Sequence, residues 1–162
     1  VPEDVLLKVV FTNGIGQHAS IEKFLETCED AFYMHCEDDF FFDNSYDWIK
    51  QSIDILNADK DVIKVLCRKD SPHPCEHDRV LAGDHTEPIR YGYIQPWTND
   101  GITWYGFSWN PGVTRTRALK YFTPFPEFEQ ELAESIYKSG LKMVELSPGV
   151  YTHIGTERST HE

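Results

Sequence analysis

Apolar and polar positions along this chain switch between two periods. Residues 5–12 (VLLKVVFT) are nearly all apolar and rich in β-branched side chains, which predicts a buried strand. The turn Asn13-Gly14-Ile15-Gly16 follows. Over residues 19–29, Ile21, Phe24, Leu25 and Cys28 recur at helical spacing and line one face. Residues 32–36 are again apolar and too few for a helix, so a second strand is expected. Strand, glycine turn, helix and strand read as a βαβ unit, with its two strands parallel and adjacent. A helix is expected over 45–57, capped by Ser45, with Tyr46, Ile49, Ile53 and Leu56 on its buried face. Residues 62–68 (VIKVLCR) form the next strand.

The periodicity then stops. Residues 69–90 carry three prolines, three histidines and many charges, the pattern of a long surface loop or lid. Two aromatic-rich strands, 91–97 and 103–109, flank Asn99-Asp100-Gly101 and predict a hairpin. A short helix over 116–121 starts beside Arg115 and Arg117, which suit either a phosphate or solvent. The last helix, 128–139, turns Phe128, Leu132, Ile136 and Ser135 to the core and stops at Gly140. Strands over 141–146 and 150–154 close the pattern. The expected architecture is a single α/β domain over 1–155, with a mixed, mainly parallel, Rossmann-like central sheet and flanking helices. A polar tail covers 156–162.

Charge narrows the partners. A formal net charge of −12 argues against a nucleic-acid partner. It leaves room for a phosphorylated small ligand, because a bound cation reverses the local sign. No run approaches the roughly 18 apolar residues that a membrane span needs, so no membrane segment is expected. Cys28, Cys36, Cys67 and Cys75 fit neither a compact zinc motif nor a disulfide framework. Cys28 and Cys36 fall on apolar faces and read as buried, reduced thiols of a cytoplasmic protein. His73, Cys75, His77 and Asp78 have no second ligand pair at a distance, which argues against zinc in the loop.

The densest chemistry lies at residues 31–42, AFYMHCEDDFFF. Three acids, Glu37, Asp38 and Asp39, follow a buried strand, where negative charge is costly unless a cation sits there. Mn²⁺ or Mg²⁺ suits such carboxylates and leaves positions for substrate phosphates. The alternative is a solvated acidic turn. Gly14 and Gly16 fit a phosphate-binding turn or a tight strand-to-helix connection. Trp97, Trp104 and Trp109 suit a platform for a sugar ring or a place in the core. Glu127, Glu129, Glu131 and Glu134 crowd the first turns of the last helix, where the helix dipole alone favours acids.

Taken in order, the glycine turn and helix, HCEDDFFF, GFSWNPG, PFPEFEQELAESIYKSG and VYTHIG resemble GT-A fold glycosyltransferases, in particular the family-2-like enzymes and the small viral and microbial ones. The resemblance covers about residues 9–155. It implies a metal-dependent transfer of a sugar from a nucleotide-diphosphate donor to a glycan or other hydroxyl acceptor, with inversion. Glu37-Asp38-Asp39 stands where that family carries its DXD metal motif, with Glu37, Asp39 and His153 as implied metal ligands. Asn13, Gly14, Gly16 and Asp38 would then bind the nucleotide sugar, and Trp97, Trp104 and Trp109 the acceptor. Glu129 falls at the catalytic-base position, because Leu132 and Gly140 match the spacing after it. The family's usual acidic pair is Phe128-Glu129 here, which leaves Glu127 and Glu131 as alternatives. The family's first strand and helix have no counterpart in this sequence, so an N-terminally incomplete enzyme is expected. A viral origin would make the location host cytoplasm. The other function class is a non-catalytic carbohydrate- or nucleotide-binding domain.

Overall fold

The computed structural model describes residues 14–43, 46–69, 74–81 and 88–154. The strand expected over 5–12, Asn13, the Ser45 cap and the tail from residue 155 lie outside the described residues. In chain order the elements are α1 (Gln17–Thr27), β1 (Phe32–Met34), β2 (Phe40–Phe42), α2 (Trp48–Ala58), β3 (Val62–Leu66), β4 (Arg79–Val80), β5 (Arg90–Tyr93), β6 (Trp97–Asn99), β7 (Ile102–Trp104), β8 (Gly112–Arg115), α3 (Thr116–Lys120), α4 (Glu129–Lys138), β9 (Lys142–Ser147) and β10 (Tyr151–His153).

Six strands form one sheet in the order β1-β8-β3-β9-β5-β4. Only the β3–β9 pairing is parallel; the other four are antiparallel. The mainly parallel, Rossmann-like sheet expected from the sequence is therefore wrong, and the fold is mixed α/β with a mainly antiparallel sheet. The error has a definite source. β1 and β3 run in the same direction, but β8, which no expected strand covers, lies between them and is antiparallel to both. β8 is reached from β3 through irregular chain and short strands rather than through a helix, so it returns in the opposite sense.

Neighbouring residues along the sheet belong to different cores, as strand geometry demands. Ile63, Leu66 and Met143 pack with Ile21 and Leu25 of α1, Leu119 of α3 and Leu132, Ala133 and Ile136 of α4. Val65, Val144 and Leu146 pack with Trp48, Ile55 and Leu56 of α2 and with Tyr151. β2 and β10 pair antiparallel beside that second core, with His153 opposite Phe40.

Several boundaries and faces moved. α2 starts at Trp48, and its cap is Asp47, whose side chain accepts from the Lys50 amide. Its buried face is Trp48, Ser52, Ile55 and Leu56, while Ile49 is 45% exposed. The anchor is Trp48, stacked on Phe42 at an interplanar angle of 9°. Phe128 stands at the cap of α4 rather than on its inner face and is exposed, as is Ser135. β1 ends at Met34, two residues early, which leaves Cys36 exposed while Cys28 and Cys67 are buried. The expected hairpin is real but shorter: β6 and β7 pair through a two-residue turn at Asp100 and Gly101, both with positive φ. Tyr91 belongs instead to β5 in the large sheet. Arg115 faces neither phosphate nor solvent; its guanidinium bonds the carbonyls of Leu56, Asp59 and Val62 and ties β8 to the end of α2. No described helix is long and apolar enough to cross a membrane.

Candidate active site

β1, β3 and β9 point the same way, so the chain leaves all three at one edge of the sheet. His35 to Asp39 emerge from β1 there, and Ser108 and Trp109 lead into β8 at the same edge. The N-termini of α1 and α4 converge on this edge through side-chain contacts with those segments.

Glu129, the first residue of α4, is drawn inward, whereas Glu127 and Glu131 are exposed. Its Oε1 accepts the Trp109 backbone N–H at 3.1 Å. Burial raises the Glu129 pKa, and the Trp109 amide and the Lys64 ammonium pull against that rise. Lys64 is fully buried in β3 and donates to the Ser108 carbonyl at 2.7 Å. Burial lowers its pKa to about 8, with Glu129 acting in the opposite sense. Lys64 and Glu129 thus form a buried ammonium and a partly buried carboxylate within each other's field, fixed on either side of the Ser108–Trp109 segment.

His18 orders the other side. Its Nε2 accepts the Trp109 indole N–H at 2.8 Å, and its Nδ1 lies 2.8 Å from the Pro126 carbonyl. An indole N–H only donates and a carbonyl only accepts, so the imidazole carries its proton on Nδ1. Trp109 is 3% exposed and packs edge-on against Phe107 and tilted against Phe125. It is a wall that holds Glu129 by its amide and His18 by its indole, with no open ring face for a sugar. Trp97 and Trp104 face each other across the β6–β7 hairpin, their ring centroids 6.2 Å apart. That hairpin docks on α4 through Gln130, whose Nε2 donates to the Thr103 carbonyl at 3.1 Å.

The three acids divide between two partners. Glu37 Oε1 accepts from Gln17 Nε2 at 2.7 Å and lies 3.0 Å from His35 Nε2. Asp39 Oδ2 lies 2.9 Å from His153 Nε2, and the Asp39 carbonyl accepts the Ile154 amide. Asp38 is exposed. The structure brings Asp39 and His153 together and holds Glu37 apart from them, against α1. Asp39 Oδ1 is buried and has no hydrogen-bond partner among the described residues. A buried, orphaned carboxylate oxygen beside an imidazole fits a divalent cation.

Gly14 and Gly16 lie at the start of α1 with φ of 71° and 87°, and Gly16 is its N-cap. Both conformations favour glycine. They turn the chain so that Gln17 and His18, the first two helical residues, meet Glu37 and Trp109. A cavity of about 280 Å³ opens between α1 and β1, lined by Gln17, Ser20, Phe24, Tyr33, His35 and Cys36. Sequence reasoning missed Lys64, His18 and Gln17. A lysine inside an otherwise apolar strand (VIKVL) was the available signal for the first; the others show nothing unusual in sequence.

No family model, curated protein or solved structure matches this chain. The resemblance to glycosyltransferases rests on the residues themselves.

Proposed function

We propose that this protein transfers a glycosyl group from a nucleotide-diphosphate sugar to a hydroxyl acceptor. The observation that carries the reading is Glu129, a carboxylate drawn inward, held by the Trp109 amide and standing within the field of Glu37 at the edge where the acidic segment leaves β1. A base fixed by a backbone amide, with an acidic cation-type segment facing it, is what a single displacement at an anomeric carbon requires.

Glu129 accepts the proton of the acceptor hydroxyl as its oxygen bonds the anomeric carbon. The bond from that carbon to the diphosphate oxygen breaks, and the nucleoside diphosphate leaves with the electron pair. One displacement inverts the anomeric centre. Trp109 and Lys64 position Glu129: the amide fixes its carboxylate, and the ammonium favours the ionised form that can take a proton. Asp39 and His153 would hold the Mn²⁺ or Mg²⁺, with Asp39 Oδ1 as the free ligand oxygen. Such an ion offsets negative charge on a departing diphosphate. Gln17 keeps Glu37 turned towards α1, and the glycine turn before that helix leaves backbone N–H groups for donor oxygens. Trp97 and Trp104, beside the start of α4, would form the acceptor's wall.

The test is release of nucleoside diphosphate from a panel of nucleotide sugars with Mn²⁺, with and without hydroxyl acceptors. Acceptor-dependent release, reduced by about 10²–10⁴ in Glu129→Gln, is the expected result. Donor binding without turnover would make this a binding domain. Turnover without an acceptor would make it a hydrolase. Either outcome overturns the transfer reading.

A further inference from the structure

A second place gathers metal-type donors far from the acidic segment in sequence and independent of the function proposed above. Cys75 and His77 lie on the segment that leads into β4, and Glu145 lies in β9 at the middle of the large sheet. One thiol sulfur, one imidazole nitrogen and one carboxylate oxygen from these three all lie within 4.8 Å of one another, and among the described residues they are the one such group. We infer that Cys75, His77 and Glu145 form a binding site for a zinc-class transition-metal ion.

The backbone is arranged for this convergence. Gly92 of β5 stands directly opposite Glu145 in the sheet register. A Cβ on Gly92 would fall 2.0 Å from the Glu76 carbonyl oxygen and 2.9 Å from Cys75 Sγ. The 75–77 segment therefore crosses over the β5–β9 pair in the space that a side chain at 92 would fill. A bridge between Cys75 and Ile94 fixes one end of the crossing, and a tight turn from the Asp78 amide to the Glu76 carbonyl, 2.9 Å, fixes the other. Glu145 shares the sheet face of Met143, so it points towards this crossing segment rather than towards the α2 side.

The chemistry selects the ion. Glu145 is 1% exposed and presents a carboxylate oxygen to the Cys75 sulfur and the His77 imidazole. His77 Nε2 is buried and has no hydrogen-bond partner among the described residues. A thiolate, a carboxylate and a neutral imidazole carry two negative charges, so a divalent ion makes the buried group neutral. A thiolate ligand disfavours the hard ions Mg²⁺ and Ca²⁺, and thiolate with imidazole favours Zn²⁺. Neighbouring ligand atoms around tetrahedral zinc lie about 3.5 Å apart, as follows from bond lengths of ~2.0–2.3 Å. A spread of up to 4.8 Å closes to that by small side-chain rotations. Three protein ligands leave the fourth position to water. The ion would clamp the edge strand β4 and its leading segment onto β5 and β9.

The experiment is Co²⁺ and Zn²⁺ titration of the full chain after chelator treatment. The expected result is one equivalent of Co²⁺ with a thiolate-to-metal charge-transfer band, displaced by Zn²⁺. The band should vanish in Cys75→Ser and persist in Cys36→Ser and Asp39→Ala. His77→Ala and Glu145→Gln should each weaken Zn²⁺ binding by about tenfold or more. Cys75→Ser removes a half-buried sulfur with little change of volume, so it keeps the test readable if Glu145→Gln fails to fold. A wild type with no charge-transfer band, or a band that survives Cys75→Ser, overturns the proposal.

Discussion

Glu129 and Glu145 are both acids withdrawn from solvent, and they are served in opposite ways. Glu129 sits at the start of a helix, accepts a backbone amide and lies in the field of a buried ammonium. Glu145 sits in the middle of a sheet and faces a thiol and an imidazole carried by a different segment. The first environment orients a carboxylate by a backbone amide, and burial raises its pKa while the amide and the ammonium offset part of that rise. The second gathers a thiol and an imidazole around the carboxylate. The two acids thus differ in the kind of group that faces each as well as in how deeply each is buried.

The largest effect should come from the acid prepared as a base. Glu129→Gln keeps the shape and removes the proton acceptor, so transfer should fall by about 10²–10⁴ with stability nearly unchanged, measured as nucleoside diphosphate release and by thermal melting. If Glu129→Gln transfers as well as wild type, the contrast between the two acids collapses.

Lys64 tests the field around Glu129. Its pKa is lowered in the folded state to about 8 from 10.5. Between these values the unfolded chain holds the proton and the folded chain has lost it, so stability rises with pH across that window and is lowest below pH 8. The difference between the two values corresponds to about 3 kcal/mol. In Lys64→Met this rise should disappear, so denaturant midpoints of wild type and variant should differ in their dependence on pH between about 8 and 10.5. Parallel curves would mean that the ammonium is not desolvated.

The crossing over the β5–β9 pair is tested by Gly92→Ala. The added methyl meets the Glu76 carbonyl, a backbone atom that cannot rotate away. A loss of about 1–3 kcal/mol is expected, together with weaker Zn²⁺ binding. A variant as stable as wild type would mean that the 75–77 segment lifts off the sheet easily. The smallest effect should be that of Gln17→Ala, which removes an exposed hydrogen bond to Glu37. Stability should change by less than about 1 kcal/mol, while the donor KM rises if Glu37 needs that tether.

How much of this was readable beforehand depends on how local each cause is. α1 and α4 were found within two residues of their ends, because an amphipathic period and Gly140, with φ of 85°, act within one or two turns of chain. The hairpin turn was read from Asn99-Asp100-Gly101, whose backbone preferences are intrinsic, and it falls at Asp100 and Gly101. The buried face of α2 was misread because Tyr46 and Ile49 fit a helical stripe as well as Trp48 and Ile55 do. The choice was made by Phe42, which offers a ring for Trp48 to stack on. Glu129 was singled out from Glu127 and Glu131 by the resemblance to glycosyltransferases, but its hydrogen bond from the Trp109 amide and the ammonium of Lys64 come from residues 20 and 65 positions away.

The sequence by itself determined the four helices, the strands β1, β3, β9 and β10 and the hairpin turn, and which residues can carry a charge or bind a metal, but it left β2, β4 and β8 unmarked. Those follow from preferences of single residues and from periods of two or 3.6 along the chain. Strand order and direction followed only from the tertiary structure. β8 pairs with β1 on one side and β3 on the other and puts Val113 into the second core, and no local pattern encodes that choice. The same packing set Glu145 against Cys75 and His77, and Glu129 against Lys64, because each partner arrives on a strand or segment whose place is decided by the whole sheet.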